Sequence, residues 1–103
     1  MAGDKESPKF VPQNVVDAFP SYREAVVWCW TNRRDVGEGE KIDQSLCANK
    51  IGLPTPQMSR CVKPHSNAPM NLPPDLLKDF QKYTGWNAVS QYLASRSGLT
   101  IME

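Results

Sequence analysis

The residues of this chain with the richest intrinsic chemistry are Cys47, Cys61 and His65. Thiolate sulfur and imidazole nitrogen are the ligands that zinc prefers, and a structural site needs four of them, typically including a close cysteine pair. The spacing here is Cys-x13-Cys-x3-His, with no close pair and no fourth ligand, so the pattern argues against a metal. A thiol near an imidazole is also the start of a nucleophilic pair. No third group stands ready to orient the chain's one histidine, and Cys61 falls on an apolar helix edge. Neither an enzyme nor a cofactor is expected. Trp28, Trp30 and Trp86 carry π faces on which single-stranded bases could stack. Amphipathic spacing assigns Trp30 to the core, while Trp28 stays open and Trp86, at a helix junction near the apolar tail, fits packing or a dimer contact equally.

The chain that must hold these side chains has 103 residues, room for one domain and one modest core. Hydrophobic residues make up 40% of it, in the range of folded proteins. No apolar run is long enough to span a membrane, and the opening MAGDKESPKF has no secretory apolar stretch, so the cytoplasm is the expected location. Three cysteines without a Cys-x-x-Cys pair read as buried small hydrophobes rather than a disulfide framework. The formal net charge is only +1, so any attraction to a polyanion must come from local clustering.

Residues 1–19 carry Pro8 and Pro12 and no sustained period, which predicts an extended arm with Val15, Val16 and Phe19 available to pack. Residues 20–103 form the domain. Ser21 and Glu24 make a capping box, followed by Tyr22, Ala25, Val26, Cys29 and Trp30 at helical spacing to about Arg34. Gly37 and Gly39 break that helix. Asp43 caps a second helix that Gly52 ends, and Thr55-Pro56 caps and opens a third, which Pro64 helps stop. Pro73-Pro74-Asp75 opens a fourth, with Leu76, Leu77, Phe80 and Tyr83 inward and Gly85 at its end. Asn87 caps a fifth, with Val89, Tyr92 and Leu93 inward, and Leu99 to Met102 form an apolar tail. No strand pattern emerges. The expected fold is all-α, five helices in one bundle.

The second and third helices have the pattern that a helix-turn-helix demands. Its two helices cross closely, which requires a small residue midway along the first, a glycine in the turn and apolar anchors on both. Counting from Gln44, Ala48 is fifth and Gly52 ninth, while Cys47, Ile51, Leu53, Met58 and Cys61 fill the fourth, eighth, tenth, fifteenth and eighteenth places.

Gln44-Ser-Leu-Cys-Ala-Asn-Lys-Ile-Gly-Leu resembles the first helix and turn of phage-repressor domains of the Cro and lambda-repressor type. With Met58-Ser-Arg-Cys, Leu72-Pro-Pro-Asp-Leu-Leu, Thr84-Gly85 and Tyr92 to Leu99, the chain from Ser21 to Leu99 is similar to small prophage regulators of the CII and Cro kind. The resemblance implies a compact five-helix bundle of that type and a regulator that binds double-stranded DNA. It also implies that Thr55, Gln57, Ser59, Arg60 and Lys63, on the exposed face of the second motif helix, meet the bases. Arginine can bond guanine O6 and N7 together, and glutamine can bond adenine N6 and N7. Gln44 resembles the family's phosphate-contacting residue, where a helix N-terminus also aims amides at phosphate, and Lys50 is placed to add a backbone contact. Such regulators pair to read palindromes, which implies a homodimer; the C-terminal helix and tail are the expected contact, with the N-terminal arm second.

Two alternatives stay open on the residues themselves. Arg60 can turn sideways into an intramolecular ion pair, and Gln57 can be a solvated helix residue. The whole motif can also serve protein contacts, as an antitoxin-like or adaptor module, a reading that the near-neutral charge favours.

Overall fold

The computed structural model describes residues 8–34 and 43–98. The glycine break at Gly37 and Gly39 and the Leu99–Met102 tail expected to support pairing lie outside the described residues. Six α-helices occur among the described residues: α1 Gln13–Asp17, α2 Tyr22–Thr31, α3 Gln44–Ile51, α4 Thr55–Val62, α5 Leu77–Thr84 and α6 Ala88–Arg96. A 3-10 turn at Pro74–Leu76 leads into α5. No strand is present among them, and one isolated bridge joins Lys9 to Trp86. No helix is long and apolar enough to cross a membrane among the described residues.

Helix starts follow local chemistry. Ser21 Oγ accepts the Glu24 amide at 3.2 Å, and Asp43 Oδ1 accepts the Leu46 amide at 2.7 Å. Each satisfies an amide that has no partner within the helix. Helix α4 starts differently from expectation. Thr55 is already its first residue and caps nothing; extended Pro54 takes that place, its carbonyl accepting the Gln57 and Met58 amides, each at 3.0 Å. Pro56 then sits in the first turn, where its missing N–H costs nothing.

Helix α2 is the central element. It packs against α6 on one side and α4 on the other, while α3 meets α4 and α5. Ala25, Val26, Val27, Cys29 and Trp30 are all buried, so this helix is covered on most of its surface. It stops at Thr31, three residues before the expected end. There Asn32 Nδ2 bonds the Trp28 carbonyl at 3.0 Å, and the Arg34 amide leaves the helix for the Thr84 carbonyl at 2.8 Å.

The segment expected to be an extended arm carries α1 and enters the core through Val11, Val16 and Phe19. Its anchor is Gln91, whose side-chain amide accepts from the Val11 N–H and donates to the Val11 carbonyl, both at 2.9 Å. A glutamine amide that pairs with a backbone in this way satisfies both buried polar partners. The bundle therefore has one helix more than the five expected, because α6 supplies a polar partner that makes burial of this segment affordable.

Leu93, expected inward, is 39% exposed. The inward positions of α6 go to Ala88, Val89, Gln91 and Tyr92 instead. Gln81 is likewise buried on α5, where its amide accepts from the Ser90 N–H at 2.9 Å and donates to Ser90 Oγ at 2.8 Å. It thereby caps the start of α6, a task expected of Asn87, whose side chain donates to the Pro8 carbonyl at 3.1 Å. The amides of Ala88 and Val89 face the buried Cys29 thiol.

Candidate nucleic-acid interface

Helix α4 has a sharp division of sides. Met58, Cys61 and Val62 are buried, at 0–1% exposure, and fasten the helix to the core. At about 100° per residue, Pro56 and Arg60 turn the opposite way, and Lys63 continues that line past the last turn. Pro56, Gln57, Arg60 and Lys63 are exposed, and Thr55 and Ser59 are half-buried. The expected residues thus divide into an outward pair, Arg60 and Lys63, with Gln57 on one flank and half-buried Thr55 and Ser59 on the other.

The second pair of expected residues lies on α3. Lys50 is exposed in its last turn, and Gln44 is half-buried at its first residue. Buried Cys47, Ala48 and Ile51 fix which side of α3 faces the body. The α3 N-terminus differs from a bare phosphate cradle. The Asp43 carboxylate occupies the Leu46 amide, placing a negative charge where the sequence reading put phosphate. Favourable with the helix dipole, that charge repels a polyanion.

Electrostatics across this region answers the question raised by the low net charge. From Gln44 to Pro74 the chain contains Lys50, Arg60 and Lys63 and no carboxylate. The acidic residues among those described, Asp17, Glu24, Asp43, Asp75 and Asp79, all lie outside that stretch. Three cations with no carboxylate give this stretch a local excess of positive charge, so a balanced chain has an unbalanced region.

Two features of this region were not anticipated from the sequence. Arg23 of α2 donates through Nη2 to the carbonyls of Arg60 at 3.2 Å and Lys63 at 2.6 Å, bracing the C-terminal turn of α4. A cation there also complements the negative end of the helix dipole. The loop after α4 folds back: Arg60 Nε donates to the Ala68 carbonyl at 2.6 Å, and the Met70 amide donates to the Arg60 carbonyl at 3.2 Å. Arg60 is therefore held by a backbone carbonyl, and it forms no ion pair among the described residues. No periodicity signals these contacts, because both partners lie outside the helix.

The three thiols are held away from solvent. Cys29, Cys47 and Cys61 are fully buried, whereas His65 is exposed, so Cys61 and His65 differ in their access to solvent. Burial pushes the Cys47 and Cys29 thiols up to about 12 and raises Cys61 as well, keeping all three protonated near neutrality. Tyr22 is raised by burial and by nearby Cys61, and its hydroxyl donates to the Leu72 carbonyl at 2.8 Å. The tryptophans are engaged in the body. Trp28 and Trp86 meet edge to face at 5.2 Å, Trp86 Nε1 donates to the Asn32 carbonyl at 2.7 Å, and Arg34 lies 5.8 Å from the Trp86 ring centre. Comparison of the chain with family models, with curated proteins and with solved structures returns no match.

Proposed function

We propose that this protein is a sequence-specific regulator of transcription, of the phage-repressor-like helix-turn-helix type, which places α4 in the major groove of double-stranded DNA. One observation carries the reading: the exposed side of α4, with Arg60 and Lys63 and with Ser59 beside them, lies in a stretch from Gln44 to Pro74 that has cations and no carboxylate. A polar helix face with cations and no neighbouring carboxylate in its stretch suits both base edges and phosphates. Gln57 and Thr55 extend the contact to either flank, Lys50 adds a phosphate contact, and Gln44 approaches the backbone beside the Asp43 carboxylate. Two copies bind a palindrome, pairing through α6, on which Leu93 is exposed.

Selection of duplexes from a random pool at low salt tests the reading. Enrichment of a defined, two-fold symmetric sequence is the expected result, with affinity falling steeply as salt rises. Failure of any duplex to enrich would sink it. A second reading, a protein-contact module, is favoured by Leu46, which is 46% exposed on α3 beside the cationic region. Under that reading Leu46→Asp abolishes partner binding, and no duplex enriches.

A further inference from the structure

Among the polar side chains on the exposed side of α4, Arg60 alone is anchored to the described residues. The side chains of Gln57 and Lys63 make no hydrogen bond with those residues. The Nε of Arg60 is spent on the Ala68 carbonyl at 2.6 Å. A guanidinium is rigid and planar, so one bond through Nε orients the whole group and leaves its terminal nitrogens as the free edge. That edge is the one with which arginine makes paired bonds to guanine O6 and N7.

The anchor is itself supported from two directions. The loop carrying Ala68 returns to α4 through the Met70 amide, and Ser66 Oγ accepts the Ala68 amide at 3.2 Å. On the other side, Arg23 holds the Arg60 and Lys63 carbonyls, and its own Nε is buried with no partner among the described residues. Arg23 is thus committed to the last turn of α4 and fixes the backbone from which the Arg60 side chain departs.

We infer that Arg60 is preset to read a single guanine in the target duplex, and that Arg23 is its positioning residue. The inference rests on the DNA-binding reading above and adds the base, the residue that reads it and the brace that aims it. Preorganisation matters here because a free arginine loses much side-chain freedom when it docks, and one already bonded through Nε loses less.

The test uses the full chain and the duplex found by selection, with each base pair replaced in turn. Wild type is expected to prefer guanine at one position of each half-site by about 10–100-fold over other bases. Arg60→Lys keeps the charge but not the planar edge, and is expected to reduce that preference to less than about 3-fold. Arg23→Gln is expected to weaken the preference at the same position only, and Arg23→Lys, which can still donate to both carbonyls, to restore part of it. Thermal melting of each variant separates loss of aim from loss of fold. Should Arg23→Gln unfold, Ser66→Ala removes the loop's support instead, and a weakened preference at that same base pair is again the expected result. A wild-type preference that survives Arg60→Lys, or an enriched sequence with no guanine dependence, overturns the guanine reading while leaving DNA binding intact. A preference unchanged by Arg23→Gln, or by Ser66→Ala where the first variant unfolds, overturns the positioning role. If no duplex enriches, both readings fall together.

Discussion

Two turns in this molecule have nearly the same backbone and different surroundings. Gly52 ends α3 and Gly85 ends α5, each left-handed with φ of 83°. At Gly52 the bonds stay local: its amide and that of Leu53 both return to the Ala48 carbonyl at 2.9 Å, and open space lies where a Cβ would go. Gly85 is a junction. Its carbonyl accepts from the Lys9 amide at 2.9 Å and from Arg34 Nη1 at 3.0 Å, and a Cβ there would lie 3.0 Å from Arg34 Cβ. The helix pair around Gly85 is tied down by the N-terminal segment and by the end of α2. Around Gly52, attachment comes through the buried side chains of α3 and α4, joined at the far end of α4 by Arg23 and the loop at Ala68 and Met70. One turn organises the body, and the other presents a surface.

The contrast can be broken most directly at Gly85. Gly85→Ala is expected to cost roughly 3 kcal/mol, combining the left-handed backbone with displacement of Arg34, as measured by urea unfolding. A cost no greater than that at Gly52 would show that Arg34 yields freely and that the junction is loose.

Alkaline titration comes next. Cys29 lies behind the second helix pair and Cys47 within the first, and burial raises both from 9.0 to about 12. The sign follows from the folded state keeping protons that the unfolded chain releases. This contribution is constant below about pH 9 and is lost as pH rises toward 12. Each thiol should remove about 2 kcal/mol by pH 10.5, and Cys47→Ala should flatten the slope of stability against pH relative to wild type. An unchanged slope would mean that Cys47 is reached by water and that the first pair opens more readily than the second.

Gly52→Ala should cost only about 1 kcal/mol, since backbone strain is the sole penalty. A melting curve of that variant sharpens the comparison of the two turns. The smallest effect is expected at Asp43. Asp43→Asn keeps an oxygen for the Leu46 amide and should shift stability by less than about 0.5 kcal/mol. Removing the carboxylate should also tighten duplex binding several-fold at low salt, read by a titration; weaker binding would contradict the placement of phosphate near α3.

Much of the helical plan was legible along the chain because its signals act within four residues. Ser21, Asp43, Gly52 and Gly85 do what their types and spacing predict. Leu93 misled because an apolar residue satisfies a helical period whether or not a neighbour covers it. Gln81 and Gln91 are polar by type, yet each falls at core spacing, Gln81 with Leu77, Phe80 and Thr84 and Gln91 with Ala88 and Tyr92. The outward side of α4 was legible from its buried anchors, since Met58, Cys61 and Val62 dictate which residues face away. The carboxylate-free stretch around α4 was present in the sequence but hidden by a whole-chain total.

What the sequence by itself determined was therefore local: where helices begin, which glycines turn left-handed and which sides are apolar. Only the tertiary structure decided that residues 8–19 join the core, that Arg23 reaches the end of α4 and that Arg60 is bonded through Nε. The partners in those contacts are remote or irregular in sequence. Gln91 and Val11 are 80 positions apart, Arg23 and Arg60 are 37 apart, and Ala68 belongs to a loop with no period. Helical spacing records which side a residue faces, whereas the carbonyl waiting opposite it is set by how the helices pack.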